Sequence, residues 1–480
     1  MRDTPYIHLF RTSQSYYLYD VNMDQILNIP ETFYSEMKGH ITSGLPIAES
    51  KRYMEKLQSF GYLKPNRVRI VKHPATDLLP YLVKRKLSQM VLQITQRCNL
   101  RCEYCIYSGA YSTRTHSQKD MEWPVAKKAM EYLITHSVDN ESITLSFYGG
   151  EPLLRFDLIQ KCVRYMSENV KGKLVSYNFT TNGTIMTPEI ADFCVKHNFG
   201  IMFSLDGPKE LHDQHRKFAH SPNGSFDLLR RTVKLFEDKY PEYAKSFQFN
   251  TVIDVERPYK PVSDFINHDP EFGKYSSLIN TIDDVYTSRK RSSAESFSQL
   301  SEYEYFEYLL TRAGRHQPNF GSKLAAQRYR DIPEKILRHR DKSGFVPERY
   351  HHGGPCVPGV RKAFVTVQGE IYPCERVSET SSLTKLGDVY SGIDIDKAER
   401  VLNIERLTHE TCSNCWAYRY CNLCIKAVDG ISCFDTESLK ARCKNVRNNI
   451  ESVFKDYCVL KELGFDFYKD KCGEIEWLEG

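Results

Sequence analysis

A chain of 480 residues can bury several cores, and 41% hydrophobic with 26% charged residues describes an ordinary globular protein. The net charge of +5 gives no reason to invoke nucleic acid, although Lys84-Arg85-Lys86 and Arg289-Lys290-Arg291 are basic runs suited to an acidic partner. No apolar run approaches the ~20 residues that span a bilayer, and Met1-Arg2-Asp3-Thr4-Pro5 lacks the apolar stretch of a secretory signal, so a cytoplasmic protein without membrane or nucleic-acid partners is expected.

Residues 1–80 read as a small separate domain. Tyr6 to Phe10 and Tyr16 to Val21 suggest short strands, and Glu31 to Met37 and Ala48 to Phe60 suggest helices, the second closed by Gly61. Short strands followed by short helices at this size suggest a winged-helix-like unit. Residues 81–282 then alternate strand and helix. The strands are Met90 to Thr95, Ser142 to Tyr148, Val175 to Thr180, Ile201 to Leu205, Phe247 to Ile253 and Ser276 to Thr281. Helical patterns such as Pro124 to Ser137, Phe156 to Asn169 and Pro188 to Lys196 lie between them. Such alternation implies an α/β fold with parallel strands, open or barrel, whose site gathers at the carboxyl ends of the strands. Arg97 to Tyr107, Gly149 to Pro152, Asn182-Gly183 and Asp206-Gly207 all fall at such ends. Residues 283–352 read as a helical bridge. Gly353-Gly354-Pro355 opens the last part, 353–480, which carries a hairpin (Ala363 to Val367, Glu370 to Pro373), a loop-rich cysteine segment and a helix from Lys444 to Leu463.

Fifteen cysteines, an odd number, fit a disulfide framework poorly in a reducing compartment; clustered cytosolic cysteines more often hold a metal. Cys162 and Cys194 lie in apolar helical patterns and read as small core residues, while Cys458 and Cys472 stand apart. Cys98-x3-Cys102-x2-Cys105 puts three thiols in one loop after a strand. Three thiolates can bind three irons of a [4Fe–4S] cube and leave the fourth open. A structural zinc site wants four ligands, and locally only His116 offers a further one. In the C-terminal part, Cys356, Cys374, Cys412-x2-Cys415-x5-Cys421-x2-Cys424 and Cys443 form a second group, with Cys433 as an addition. Zinc ribbons are the alternative there, because Cys-x2-Cys pairs are typical of zinc.

The first cluster, with Tyr104 before its third Cys, resembles the signature of the radical S-adenosylmethionine (SAM) superfamily. That resemblance implies a partial (β/α)6 barrel, a [4Fe–4S] cluster on Cys98, Cys102 and Cys105, and cleavage of SAM to a 5′-deoxyadenosyl radical. Gly149-Gly150-Glu151-Pro152 matches the family's element for the methionine amino group, an ammonium that needs acceptors. Asn182, Ser204 and Arg216 match further SAM contacts, the Arg able to grip a carboxylate. The C-terminal cysteines resemble a SPASM domain with two auxiliary [4Fe–4S] clusters. The family's ligation implies Cys356, Cys374 and Cys424 for the first and Cys412, Cys415, Cys421 and Cys443 for the second. Two residues, instead of the family's three, separate Cys421 from Cys424. The fourth ligand of the first auxiliary cluster is open, water, or Cys433. Glu375, directly after Cys374, matches a carboxylate that takes the substrate proton in similar sulfatase maturases.

The N-terminal domain resembles the PqqD-like peptide-recognition unit fused to maturases of ribosomally made peptides, which binds a leader as an added strand. The chain as a whole thus resembles a radical SAM/SPASM peptide maturase. The expected reaction is formation of Cys thioether cross-links in a precursor peptide, with an electron donor such as flavodoxin or ferredoxin. Carbon–carbon cross-linking and sulfatase-type formylglycine formation are the enzymatic alternatives. A zinc-binding structural protein is the non-catalytic one.

Overall fold

The computed structural model describes residues 4–109, 111, 113–287, 289–316, 321–337 and 344–467; Cys472 and the end of the 353–480 region lie outside the described residues. The chain opens with an antiparallel sheet of β1 (Ile7–Arg11), β2 (Tyr16–Asp20) and β3 (Gln25–Ile29), in that order. β3 adds a strand to the two expected from the sequence; its Gln-Ile-Leu-Asn-Ile is short and half-exposed, so its alternation is weak. Helices Glu31–Ser43 and Lys51–Ser59 follow. A two-residue strand β4 (Ile70–Val71) and helix Leu79–Arg85 lead into the main domain.

The main sheet carries six strands in chain order, all parallel: β5 (Gln89–Thr95), β6 (Ser142–Gly149), β7 (Leu174–Thr181), β8 (Gly200–Ser204), β9 (Gln248–Ile253) and β10 (Ser276–Thr281). Helices Trp123–His136, Phe156–Asn169, Pro188–Lys196 and Phe226–Lys239 cover it. β5 reads Gln-Met-Val-Leu-Gln-Ile-Thr and is buried from Met90 to Thr95, as a parallel strand covered on both faces must be. The alternation of strand and helix yields parallel strands as expected, and the architecture is the α/β partial barrel that the resemblance implies.

Beyond the barrel, β11 (Arg349–Tyr350) pairs with β4. Strands β12 (Lys362–Val365), β13 (Glu370–Tyr372), β14 (Gly387–Asp388) and β15 (Gly392–Ile393) extend the main sheet, β12 pairing parallel to β5. The cysteine-rich segment is thereby tied to the strand that launches the first cysteine loop. The C-terminal helix spans Thr436–Glu462, starting earlier than the apolar pattern suggests because the Asp435 carboxylate caps it, accepting from Ser438 N at 2.9 Å. Cys443 therefore sits on a helix. Among the described residues, no helix is long and apolar enough to cross a membrane.

The N-terminal sheet does not stand alone. Along β2, Leu18 faces a small core with Phe33, Met37 and Leu57, while Tyr17 and Tyr19 face the opposite way into a second core with Tyr305, Tyr420 and Phe454. The Phe454 ring lies 4.8 Å from Tyr19, 5.8 Å from Phe10 and 5.3 Å from Tyr420. Both faces of a five-residue strand are buried, which makes the first 60 residues part of the C-terminal packing. Phe454→Ala should open a cavity shared by the two regions and cost about 3 kcal/mol or more. A lowered urea midpoint, followed by near-ultraviolet circular dichroism, checks this.

Candidate active site

The first cysteine loop leaves β5 and is gripped from two sides. On one side Gly150 N donates to Thr95 O at 3.0 Å and Glu151 N to Arg97 O at 2.9 Å. A Cβ on Gly149 would come 2.0 Å from Thr95 O, and one on Gly150 2.0 Å from Arg97 O, so only glycine permits this approach. On the other side Arg101 N donates to Lys217 O at 2.8 Å and Ala219 N to Asn99 O at 2.9 Å. Cys98, Cys102 and Cys105 are brought close enough that Cys102 and Cys105 raise the cost of ionising Cys98, and Cys105 that of Cys102. Burial, the dominant cause, pushes the Cys98 and Cys102 thiols well up. The backbone of Leu100 donates to the Cys98 sulfur at 3.4 Å and that of Tyr107 to the Cys105 sulfur at 3.5 Å. Three thiols in one loop, with N–H donors aimed at two of the sulfurs, are a donor set that fits three irons of a cluster.

The SAM-directed residues are placed as follows. Glu151 is fully buried, and burial pushes it up to about 7 against the pull of its donors. Its carboxylate accepts from Leu153 N (3.1 Å), Thr181 Oγ1 (2.8 Å) and Asn182 N (2.8 Å), tying the end of β6 to the end of β7. Asn182 also donates from Nδ2 to Asn99 Oδ1 at 2.9 Å, reaching into the cysteine loop. Ser204 is buried at the end of β8, two residues before Asp206.

Asp206 is a residue that sequence reasoning passed over. Arg216 Nε and Nη2 donate to its two carboxylate oxygens at 2.7 and 3.1 Å, both side chains buried. The Tyr104 hydroxyl donates to the same carboxylate, and the Arg216 guanidinium lies 5.4 Å from the Tyr104 ring centre. The fork of Arg216, expected to grip a SAM carboxylate, thus holds Asp206. Likewise Tyr104, expected at the cofactor, spends its hydroxyl there. Burial raises the Asp206 carboxyl, but Arg216 beside it outweighs burial and holds the group below the ordinary range. The sequence signal was present: an Asp at a strand end in Ser204-Leu205-Asp206-Gly207, ten residues before a candidate Arg.

A second group surrounds Glu379, also unanticipated. It accepts from Gln93 Nε2 at 2.6 Å and Gln96 Nε2 at 3.3 Å and faces Arg114 Nε at 2.5 Å. Arg114 lies over the Tyr107 and Phe364 rings, at 5.6 and 5.4 Å. Glu375 pairs with Lys362 Nζ at 3.2 Å and is close enough to influence Arg114 and Tyr148 electrostatically; Tyr148 feels Cys105 as well. Glu375 therefore belongs to the polar wall beside the first cysteine loop.

The C-terminal cysteines separate into two sets in space. Cys412, Cys415, Cys421 and Cys443 line one small cavity together with His352, Thr408 and Tyr418. Burial pushes Cys412 and Cys421 up to about 12, and each is raised further by the other thiols. Thr408 Oγ1 lies 3.3 Å from the Cys412 sulfur. Cys374 interacts electrostatically with Cys424, and Cys424 with Cys356. Cys433 is exposed; its carbonyl accepts from Gly430 N at 3.0 Å. Among the described residues no group of His, Cys, Asp and Glu meets the geometry of a single metal ion. Cys162, Cys194 and Cys458 are buried in apolar cores.

Asp206→Asn would leave Arg216 buried without its counter-charge. It should cost about 3 kcal/mol, whereas Tyr104→Phe, which removes one hydrogen bond to a charged group, should cost about 1.5 kcal/mol. Urea unfolding of the two variants measures the difference.

Residues 92–254 match the profile of the Radical SAM superfamily. A cysteine-type anaerobic sulfatase-maturating enzyme of Clostridium novyi strain NT is 28% identical over 301 residues, 61% of this chain and 74% of its own. Native anSMEcpe with bound AdoMet superposes with a TM-score of 0.57 at 21% identity, covering 78% of this chain and 99% of that one. The same protein with AdoMet and the Cp18Cys peptide gives 0.52 at 23%, covering 76% and 99%. The glycine-framed strand ends and the three thiols of the loop after β5 lie within this match, which makes residues 92–254 a Radical SAM domain.

Proposed function

We propose that this enzyme is a peptide maturase that forms Cys thioether cross-links in a ribosomally made precursor, using one SAM-binding [4Fe–4S] cluster and two auxiliary ones of SPASM type. The observation that carries this reading is the sorting of the C-terminal cysteines: four thiols line one cavity, and three others form a separate set beside the polar wall. Four thiols satisfy a cube completely, which suits electron transfer; three leave one position for a ligand. When bound, the clusters and SAM supply a 5′-deoxyadenosyl radical and a sink for one electron.

The chain's own residues do the rest. Gly149 and Gly150 let the cysteine loop lie against the strand ends, and Glu151 with Asn182 fixes the mouth where the SAM amino group would sit. Glu375 Oε is the acceptor for a substrate thiol proton, its charge balanced by Lys362. Arg114 and Glu379 provide polar, buried support on the same wall. Among the described residues the outer edge of β3 pairs with no further strand, so an extended leader peptide can add there, raising the local concentration of the core peptide. β1, the other edge, lies against helix Thr436–Glu462.

Formylglycine formation is the second reading, favoured by the similarity to the sulfatase-maturating enzyme. Mass spectrometry of co-expressed peptides separates them: a cross-link removes one hydrogen pair, whereas formylglycine replaces the thiol with an aldehyde.

Replacing Cys98, Cys102 and Cys105 with Ala should abolish 5′-deoxyadenosine formation while leaving iron at the C-terminal sets; continued SAM cleavage by the triple variant would falsify the assignment. Glu375→Gln should keep 5′-deoxyadenosine formation and lower peptide product about a hundredfold. Equal loss of both, measured by chromatography of the same reaction, argues against a proton-acceptor role.

A further inference from the structure

The segment between Cys412 and Cys421 makes a series of contacts with the first 66 residues. Asn66 Nδ2 donates to Ser413 O, and the Tyr6 hydroxyl donates to Cys415 O at 2.8 Å. The His8 ring stacks on Trp416 with centroids 3.7 Å apart and planes 7° from parallel. Arg419, buried at 4% exposure, donates from Nη1 to Val21 O at 3.2 Å. Tyr420 donates to Asp24 Oδ1 at 2.8 Å. The contacts come from one end of the N-terminal sheet, where the start of β1 (Tyr6, His8) lies beside the β2–β3 turn (Val21, Asp24) and Val21 N donates to Tyr6 O at 3.0 Å.

Asp24 carries a second, independent sign. It is 2% exposed and holds a left-handed backbone, φ 55°, a region that costs a non-glycine residue roughly 1 kcal/mol. A strained, buried carboxylate persists where its surroundings over-determine it, and here these are the hydroxyls of Tyr19 and Tyr420, both at 2.8 Å, and Arg419 at 3.7 Å. The β2–β3 turn is thus shaped to fit the cysteine segment.

We propose that the N-terminal region is the closing wall of the four-cysteine site, with Tyr6 and His8 as positioning residues that hold the Cys412–Cys421 segment and set how tightly the site retains its iron. The proposal rests on the reading of Cys412, Cys415, Cys421 and Cys443 as cluster ligands. The physical argument is local opening. To release iron, the segment bearing three of the four thiols must swing out, and the free energy of that motion is the sum of the contacts it breaks. Neither Tyr6 nor His8 touches a sulfur; Tyr6 orients the peptide group of Cys415, and His8 clamps the indole of the next residue. Groups that orient ligands in this way typically change metal retention by an order of magnitude or more. The N-terminal region would then be a structural component of the auxiliary site as well as a peptide-binding edge.

The test uses the full-length chain carrying Cys98→Ala, Cys102→Ala and Cys105→Ala, reconstituted anaerobically so that only C-terminal iron is counted. Iron release to a ferrous chelator is followed by absorbance, with the EPR spectrum of the reduced protein recorded alongside. In this background Tyr6→Phe and His8→Ala should each release one cluster's share of iron about tenfold faster. His8→Phe, which keeps a ring on Trp416, should restore the parent rate, and Tyr62→Phe, whose hydroxyl bonds Gln25 on the far side of the sheet, should not differ from the parent. Unchanged release in both Tyr6→Phe and His8→Ala, or equal acceleration by Tyr62→Phe, overturns the proposal. Cys412→Ala and Cys443→Ala distinguish the two levels. If they hold as much iron as the parent, the ligand reading itself fails and takes the proposal with it. If they lose iron while Tyr6→Phe and His8→Ala release at the parent rate, only the proposal fails.

Discussion

The buried pair of Asp206 and Arg216 organises the mouth of the barrel. An isolated charge at that depth would cost several kcal/mol, so neither partner is tolerable without the other. Their bidentate contact links the end of β8 to the turn after helix Lys209–His215, and Tyr104 joins the pair from the cysteine loop. The segment following Arg216 then supplies backbone acceptors and donors to that loop through Lys217 and Ala219. With Gly149 and Gly150 pressing from the other side, the loop has little freedom to present its thiols anywhere else.

The electrostatics of the first cysteine loop and of the four-thiol cavity share one logic. Burial disfavours the thiolates of Cys98, Cys102, Cys412 and Cys421, and neighbouring thiols disfavour them further. Such groups are poor nucleophiles alone and good ligands once a cation offsets their charge. Their surroundings differ. The four-thiol cavity is lined by Ile404, Leu423, Leu439, His352 and Arg447 among others, whereas Cys374 feels Glu375, which pairs with Lys362, and Arg376.

Aromatic packing explains why the first 60 residues cannot be treated as an appendage. Phe10, Tyr19, Tyr420 and Phe454 form one continuous cluster, so the peptide-binding edge proposed for β3 and the four-cysteine cavity share a rigid support. A ligand added at β3 lies two strands from the edge that carries Tyr6 and His8.

By itself the amino-acid sequence determined the order and type of the elements in the barrel, because strand runs such as β5 and amphipathic runs such as Phe156–Asn169 carry their periodicity locally. It also determined which cysteines belong together, since ligand spacing within a loop is a local property: Cys98, Cys102 and Cys105, and Cys412, Cys415 and Cys421. Tertiary structure alone decided the partnerships between distant segments. Asp206 meets Tyr104 across a hundred residues, Glu379 meets Gln93 and Arg114 from the C-terminal part of the chain, and Tyr6 meets Cys415 from the far end of the chain. No periodicity encodes such pairs, because a buried charge or hydroxyl is satisfied by whichever group the packing brings to it. For the same reason the fork of Arg216 read in sequence as a ligand grip, and in the folded chain it closes on a carboxylate of its own.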